Sequence, residues 1–486
     1  MDPETGLDQV ADVAITDGRV TAIGADLPLG TRELDARGCI VGPGFVDIHA
    51  HGQTLAADRM QAFDGVTTAL ELEVGALPVS RWYEAQSTRP RALNYGTSAA
   101  WLFARQKVLS DITPDATAHS MTAMGPRSAN RRWCLEPATE AEAAEIAALV
   151  RQALDEGAIG IGIPNGYAAG AGIRELSLVC DLAAERDSVT FTHIANISNI
   201  DPKSSLESYL QIIGLAGATG AHMHVCHLNS TSLLDAERSA AVLKKAQAQG
   251  LPITVEAYPY GAGSTVVSWD FLTRPGFEER TGSGYDQVQL VRTGERFSDA
   301  EGIRAAAEEA PGDLILWHFL DTEQKPGHQA LLDISVLYEG GAIASDALPW
   351  SQPDGSFYHG SDWPLPAEVS AHPRSAGTFT RFLSAYVRDR EAVSLMEGLA
   401  KCTLIPARII EGAAPQMRRK GRLQVGADAD VTVFDLEQLA DRATFEEMNR
   451  PATGVRHLLV GGTPLIKDGE LDTEAAPGKP VRGTIA

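Results

Sequence analysis

Gly42-Pro43-Gly44-Phe45-Val46-Asp47-Ile48-His49-Ala50-His51 is a short apolar run that ends in His-x-His. Along a strand, residues two apart point to one side, so His49 and His51 are expected to present two imidazoles to a single point. Neutral imidazole is a common zinc ligand. Taken alone, the pair reads as two polar residues closing a strand. What turns the reading toward a metal is that other ligand types recur at the ends of later apolar runs.

Outward from this stretch, residues from about 46 to 405 alternate short apolar strands with helical patterns, the signature of βα units and a parallel sheet. Candidate strands end at His51, Glu73, Gly96, Ile163, His193, His227, Tyr258, Leu320 and Asp346. Nine candidates exceed a closed set of eight, so at least one is an extra or a misassignment. Chemically capable residues at the carboxyl ends of successive strands predict an α/β fold of the (β/α)8 barrel kind, with those residues around one mouth. Thr139-Glu140-Ala141-Glu142 predicts a capping box opening a helix whose Ile146, Leu149, Val150 and Leu154 share a face and which stops at Gly157. Segments 78–138 and 265–312 read as irregular loops over the mouth.

Both ends of the chain are β-rich. An Asp17-Gly18 hairpin signal lies within 12–23, and the runs 428–435 and 457–466 read as strands, the second with a Gly461-Gly462 turn. The expected organisation is therefore a small β domain built from residues 1–45 and 406–486 around a barrel domain of 46–405. A length of 486 residues agrees, since one core stops growing at about 250–300.

A formal net charge of −23 repels phosphate backbones and anionic lipid, which argues against nucleic acid and membrane surfaces as partners. No run of ~18 apolar residues occurs, and the first residues lack the basic and apolar regions of a signal peptide. The five cysteines are scattered without a Cys-x-x-Cys pair, which suits a reducing cytoplasm.

In Gly65-Val66-Thr67-Thr68-Ala69-Leu70-Glu71-Leu72-Glu73, alternation assigns Thr67, Ala69, Glu71 and Glu73 to one face. A carboxylate inside a barrel is costly without a cation. Glu73, nearer the strand end, is the preferred ligand, and Glu71, one layer deeper, is its rival. His193 and His227 each close a further strand and supply nitrogen for a second metal position, while His222 and His224 read as hydrogen-bonded core histidines. Asp346 ends the last strand, where an acid beside a metal can both bind it and receive a proton.

Pro-Gly-Phe-Val-Asp-x-His-x-His, Gly-Val-Thr-Thr, Thr192-His193-Ile194, Cys226-His227-Leu228 and Ser345-Asp346, in that order, resemble the amidohydrolase superfamily across nearly the whole chain. Within it, Ala257–Thr265, Ala371–Phe379 and Gly421–Asp430 resemble the D-aminoacylase (N-acyl-D-amino-acid deacylase) family. That resemblance implies a distorted TIM (β/α)8 barrel with a small β-sandwich, holding one or two zinc ions. It assigns His49, His51 and Asp346 to one metal site and His193 and His227 to the other. For substrate binding it implies Tyr258, Ser264 and Arg374, with Tyr167 as a further candidate.

The chain departs from the family at two points. D-aminoacylases carry a cysteine ligand just after the Gly-Val-Thr-Thr strand, where this chain has Glu71, Glu73, Val74 and Gly75, so a carboxylate replaces the thiolate. The carboxylated lysine of related hydantoinases is also closed to the fourth strand, because no lysine occurs between Lys107 and Lys203. Second, Asn229 stands at the substrate-binding position where the family has the lysine of His-x-Lys, and a partner for a substrate carboxylate is lost.

These residues imply hydrolysis of the C–N amide bond of a small-molecule substrate by a metal-activated water, most simply deacylation of an N-acyl-D-amino acid. Asp346 would be the catalytic proton carrier. The competing expectations are a dipeptidase or cyclic-amide (lactam or imide) hydrolase on the same site, and a non-catalytic scaffold. A homo-oligomer is compatible with each.

Overall fold

The computed structural model describes residues 1–123 and 130–485. Eight parallel strands carry the fold: β1 Phe45–Asp47, β2 Val66–Ala76, β3 Asn94–Ala100, β4 Ile161–Pro164, β5 Val189–His193, β6 His222–Val225, β7 Ile253–Ala257 and β8 Ala342–Ile343. They follow one another in sequence order across the sheet. The ring is closed just past the end of β1, where Ala50 bridges Ala347 in parallel and His51 N–H donates to the Ala347 carbonyl at 2.8 Å. Asp47 strengthens the seam, accepting from Ser345 N–H at 3.1 Å and from the Ser345 hydroxyl. The structure is thus a closed α/β barrel, with helices between successive strands.

Val46, Leu70, Leu72, Phe191 and Ala342, from four of these strands, form one buried apolar cluster with Ile48, Cys226 and Ala344, which lie just past strand ends. Ala407, Ile410 and Met417 belong to it, as does Val481. Residues beyond 405 therefore serve the barrel as well as the terminal β domain. Val481 N–H donates to Tyr95 O at 2.7 Å, and the Tyr83 hydroxyl donates to Val481 O at 2.6 Å. In the terminal domain, Ile40–Pro43 pairs antiparallel with Val431–Phe434, and the sheet continues through Val455–Val460, Thr463–Lys467 and Glu470–Leu471. The hairpin turns have the backbone their sequences call for, with positive φ at Asp17, Gly18, Gly461 and Gly462.

The expected strand ending at Leu320 is the extra one. Leu314–Trp317 pairs antiparallel with Gly263–Val266 and with Val288–Leu290 in a separate three-stranded sheet. An apolar strand covered on both faces reads alike in a barrel or a side sheet, because sequence does not encode the direction of its partner. Neither supposed loop is irregular throughout. Segment 78–138 contains helix Val79–Ser87, strand β3 and helix Trp101–Ser110, and 265–312 contributes to the inserted sheet and helix Ala300–Glu309. Arg105 is fully buried within the first of these, ion-paired with Glu175 and donating to the Trp133 carbonyl at 2.9 Å. Such a charged residue hides a helix from an apolar-pattern reading. The Thr139 capping box forms as expected and opens helix Glu140–Asp155, with Gly157 at φ +95° just beyond it.

Candidate metal centre

β1 ends at Asp47, two residues before His49, so strand alternation does not carry the His-x-His pair. The two imidazoles converge nonetheless, with Nε2 atoms 3.2 Å apart. Each is aimed from behind by a carboxylate. His49 Nδ1 donates to Glu256 on β7, and His51 Nδ1 lies 3.0 Å from both oxygens of Glu71. A carboxylate behind Nδ1 keeps the proton there and leaves the Nε2 lone pair facing forward, as outer-shell partners of metal-bound histidines do.

Glu73 lies among four histidines. Its Oε2 is 3.3 Å from His49 Nε2 and 3.4 Å from His51 Nε2, while its Oε1 is 3.1 Å from His193 Nδ1 and 2.9 Å from His227 Nε2. Asp346 Oδ1 completes the first group at 3.5 Å from His49 and 3.4 Å from His51. Burial alone would raise the Glu73 carboxyl, but His49, His193 and His227 pull it well below the ordinary range. The same holds for Asp346, which Arg374 and His49 hold low against burial. Burial opposes charge on His49, yet Glu256, Asp346 and Glu73 raise its proton affinity well above normal. His193 goes the other way, lowered by burial.

This donor set fits a divalent metal. With their Nδ1 atoms turned to Glu256 and Glu71, His49 and His51 each bring Nε2 within 3.5 Å of one oxygen of Glu73 and one of Asp346, so two buried imidazoles and two buried carboxylates converge where a cation would offset the cost of the charge. The second group, Glu73, His193 and His227, likewise brings its ligand atoms together. Each of these two histidines keeps one ring nitrogen buried without a hydrogen-bond partner, Nε2 in His193 and Nδ1 in His227. Gly166 makes room for His193, since a Cβ there would lie 2.8 Å from its Nε2.

The two glutamates reach the site by a route that alternation does not predict. Leu70 and Leu72 join the barrel's inner cluster, and Ala69, expected to share the glutamates' face, packs in the larger core with the helices. A register shift against β3 between Glu71 and Ala76 breaks the alternation and turns Glu73 into the mouth. Strained backbone aims two further residues, with φ +33° at His227 and +51° at Asp346. His224 is a hydrogen-bonded core histidine, as expected, and it also belongs to the support of the site: its Nε2 lies 3.1 Å from Glu256, the carboxylate behind His49. Sequence reasoning missed Glu256. The available signal was a charged residue inside the apolar strand Ile253–Ala257.

The mouth opens into a cavity lined by His51, Glu73, His193, His227 and Asp346 on one side and by Tyr167, Tyr258, Ser264, Trp269 and Trp317 among others. Arg374 is fully buried, ion-paired with Asp346 Oδ2 at 2.9 Å, and stacked 4.6 Å from the Tyr258 ring. Ser264 donates its hydroxyl to the Ile315 carbonyl. Asn229 does not reach the cavity. Its amide donates to the carbonyls of Tyr258 and Tyr260, both at 3.1 Å, so it braces the Tyr-Pro-Tyr segment from behind.

Ser120 donates to Glu71 Oε2 at 2.6 Å, so Glu71 joins the loop over the mouth to His51. Glu71→Gln is expected to weaken metal affinity by about 10–100-fold through misdirection of His51, with little change in fold, read by competition with a chelator.

The amidohydrolase family profile matches residues 32–247 and 230–466. The chain is 30% identical to an N-acyl-D-glutamate deacylase of Alcaligenes xylosoxydans xylosoxydans, over 93% of this chain and 89% of that one. It is 26% identical to a D-aminoacylase of the same organism, covering 94% and 91%. Among solved structures it is similar to the N-acyl-D-glutamate deacylase of Bordetella bronchiseptica complexed with zinc and a phosphonate inhibitor, with a TM-score of 0.74, 23% identity and coverage of 99% and 97%.

Proposed function

Because the chain belongs to the amidohydrolase family, we propose that it is a zinc-dependent deacylase of N-acyl-D-amino acids or closely related N-acyl compounds. The observation that carries this reading is the position of Glu73, one oxygen toward His49 and His51 and the other toward His193 and His227. His49, His51 and Asp346 would hold one ion, His193 and His227 the other, and Glu73 both. A divalent ion held there supplies positive charge that polarises an amide carbonyl and acidifies water near neutral pH.

The chain's own groups do the rest. Asp346, kept ionised by Arg374 and His49, accepts the proton of the attacking water and delivers it to the departing amide nitrogen. Tyr258, whose hydroxyl burial pushes up to about 12, remains a neutral donor for the oxyanion that develops on the acyl oxygen. Arg374 keeps Nη1 without a hydrogen-bond partner, and a Cβ on the cavity-lining Gly263 would lie 3.7 Å from it. A substrate carboxylate entering there would meet the guanidinium. Ser264 and Tyr167 shape the substrate's side of the cavity, and Asn229 acts by supporting Tyr258. Five cysteines, all unpaired, support a cytoplasmic setting.

The test is reconstitution. Protein stripped by a chelator is expected to lose hydrolysis of N-acetyl-D-amino acids and to regain it with zinc, with L-enantiomers, dipeptides and cyclic imides turned over far more slowly. Faster turnover of dipeptides or cyclic imides would overturn the deacylase reading. Purified protein with less than about 0.2 metal ions per chain and no hydrolysis would instead identify a non-catalytic scaffold.

A further inference from the structure

We propose that a column of hydrogen-bonded side chains inside the barrel, His222, Thr254, His224 and Glu256, locks the tautomer of His224 and through it the aim of His49, with Thr254 as the positioning residue at its centre. The inference rests on the assignment of His49 as a metal ligand in the reading above.

The column is built by two adjacent strands. Residues two apart share a side, so β6 carries His222 and His224 on one face and β7 does the same for Thr254 and Glu256. Parallel pairing sets Met223 opposite Ile253 and His224 opposite Thr254. The His224 and Phe191 rings meet edge to face at 5.6 Å, and Phe191 belongs to the barrel's inner cluster, so this face points inward. His222 is the first residue of β6. The column therefore starts at the end of the barrel remote from the mouth and finishes, through Glu256, at His49.

Polar side chains in these layers call for a cause, because the interior of a (β/α)8 barrel is normally filled by branched apolar residues. A half-satisfied polar network there is costlier than an apolar core. In this column every buried side-chain nitrogen and oxygen has a partner, whereas His193 and His227 each keep one ring nitrogen without one. The network is complete, and its far end is a histidine aimed at the metal centre.

The bonds of the column run in one direction. Glu256 Oε1 accepts from His49 Nδ1, and its Oε2 lies 3.1 Å from His224 Nε2. A carboxylate only accepts, so His224 carries a proton on Nε2. In the neutral ring Nδ1 is then bare, and the Thr254 hydroxyl, 2.9 Å away, donates to it. That commits the hydroxyl's single proton, so His222 Nε2, 2.8 Å from the same oxygen, is the donor in turn. Without the hydroxyl, His224 Nδ1 would be left with no donor. Moving the ring proton to Nδ1 would then turn a bare Nε2 toward Glu256, which would lose the second of the two donors that hold it behind His49.

The experiment is nitrogen NMR of the histidine rings in the full chain near neutral pH, metal-free and zinc-loaded, with the His224 signals identified by their loss in His224→Gln. Zinc affinity is read beside it by competition with a chelator. His224 is expected as the neutral Nε2–H form in both states, and an Nδ1–H or doubly protonated ring in the unaltered protein overturns the inference. Thr254→Val keeps the shape and removes the hydroxyl. It is expected to populate the Nδ1–H form of His224 and to weaken zinc binding by about 3–10-fold, below the range of a partner that touches the ligand itself. Thr254→Ser is expected to keep the Nε2–H form and to bind zinc within about twofold of the unaltered protein. An unchanged tautomer or an unchanged zinc affinity in Thr254→Val, or equal losses in the two variants, overturns the inference. If the unaltered protein binds no zinc, the metal reading fails, and the tautomer of His224 in the two variants still decides whether the column acts as a lock.

Discussion

Asp346→Asn is expected to lower kcat by about 10²–10⁴-fold, the range for removing a positioned general base and acid, while most of the bound metal is retained. Asparagine keeps an oxygen able to face His49 and His51, where Asp346 Oδ1 now lies at 3.5 and 3.4 Å. It loses the charge that pairs with Arg374 and the capacity to take a proton. Metal content and turnover should therefore separate. Metal analysis beside steady-state kinetics reads both, and near-normal turnover would reject Asp346 as the proton carrier.

Glu73→Gln is expected to remove metal and activity together, with a fall in metal affinity of more than about 100-fold, beyond the range typical of an outer-shell partner such as Glu71. The neutral amide withdraws the anion shared by two histidine pairs, which leaves four buried imidazoles around it without their common counter-charge. Comparing Glu73→Gln with Glu71→Gln in the same chelator competition tests the assignment of the two carboxylates. A larger loss from Glu71→Gln would reverse it.

The difficulty of choosing between Glu71 and Glu73 from sequence has a definite cause. Both sit at the same parity along β2, and alternation cannot rank residues of one face by depth, nor foresee the register shift between Glu71 and Ala76. The same limit applied at His49, where the strand stops at Asp47 and the pair is aimed by Glu256 and Glu71 instead. Glu256 lies more than two hundred residues away from its partner His49, and Asp47 is nearly three hundred from Ser345. Contacts over such separations leave no local pattern. The aromatic side of the cavity was only partly legible: the strand that carries Trp317 was expected, though in the barrel, whereas the 265–312 segment that carries Trp269 is rich in glycine, proline and charge, which mimics a loop.

The sequence by itself determined the barrel, the order of its strands, the pairing of strands from both ends of the chain and the kinds of ionisable side chain that gather at the mouth, because strand ends, turn residues and buried ionisable groups are properties of short stretches. Only the tertiary structure decided which carboxylate stands between the histidine pairs, that the Asn229 amide is bonded to the carbonyls of Tyr258 and Tyr260, and that Trp269 and Trp317 line the cavity. Those outcomes depend on ring closure between β1 and β8 and on a strand that shifts register, and both are set by packing among distant residues.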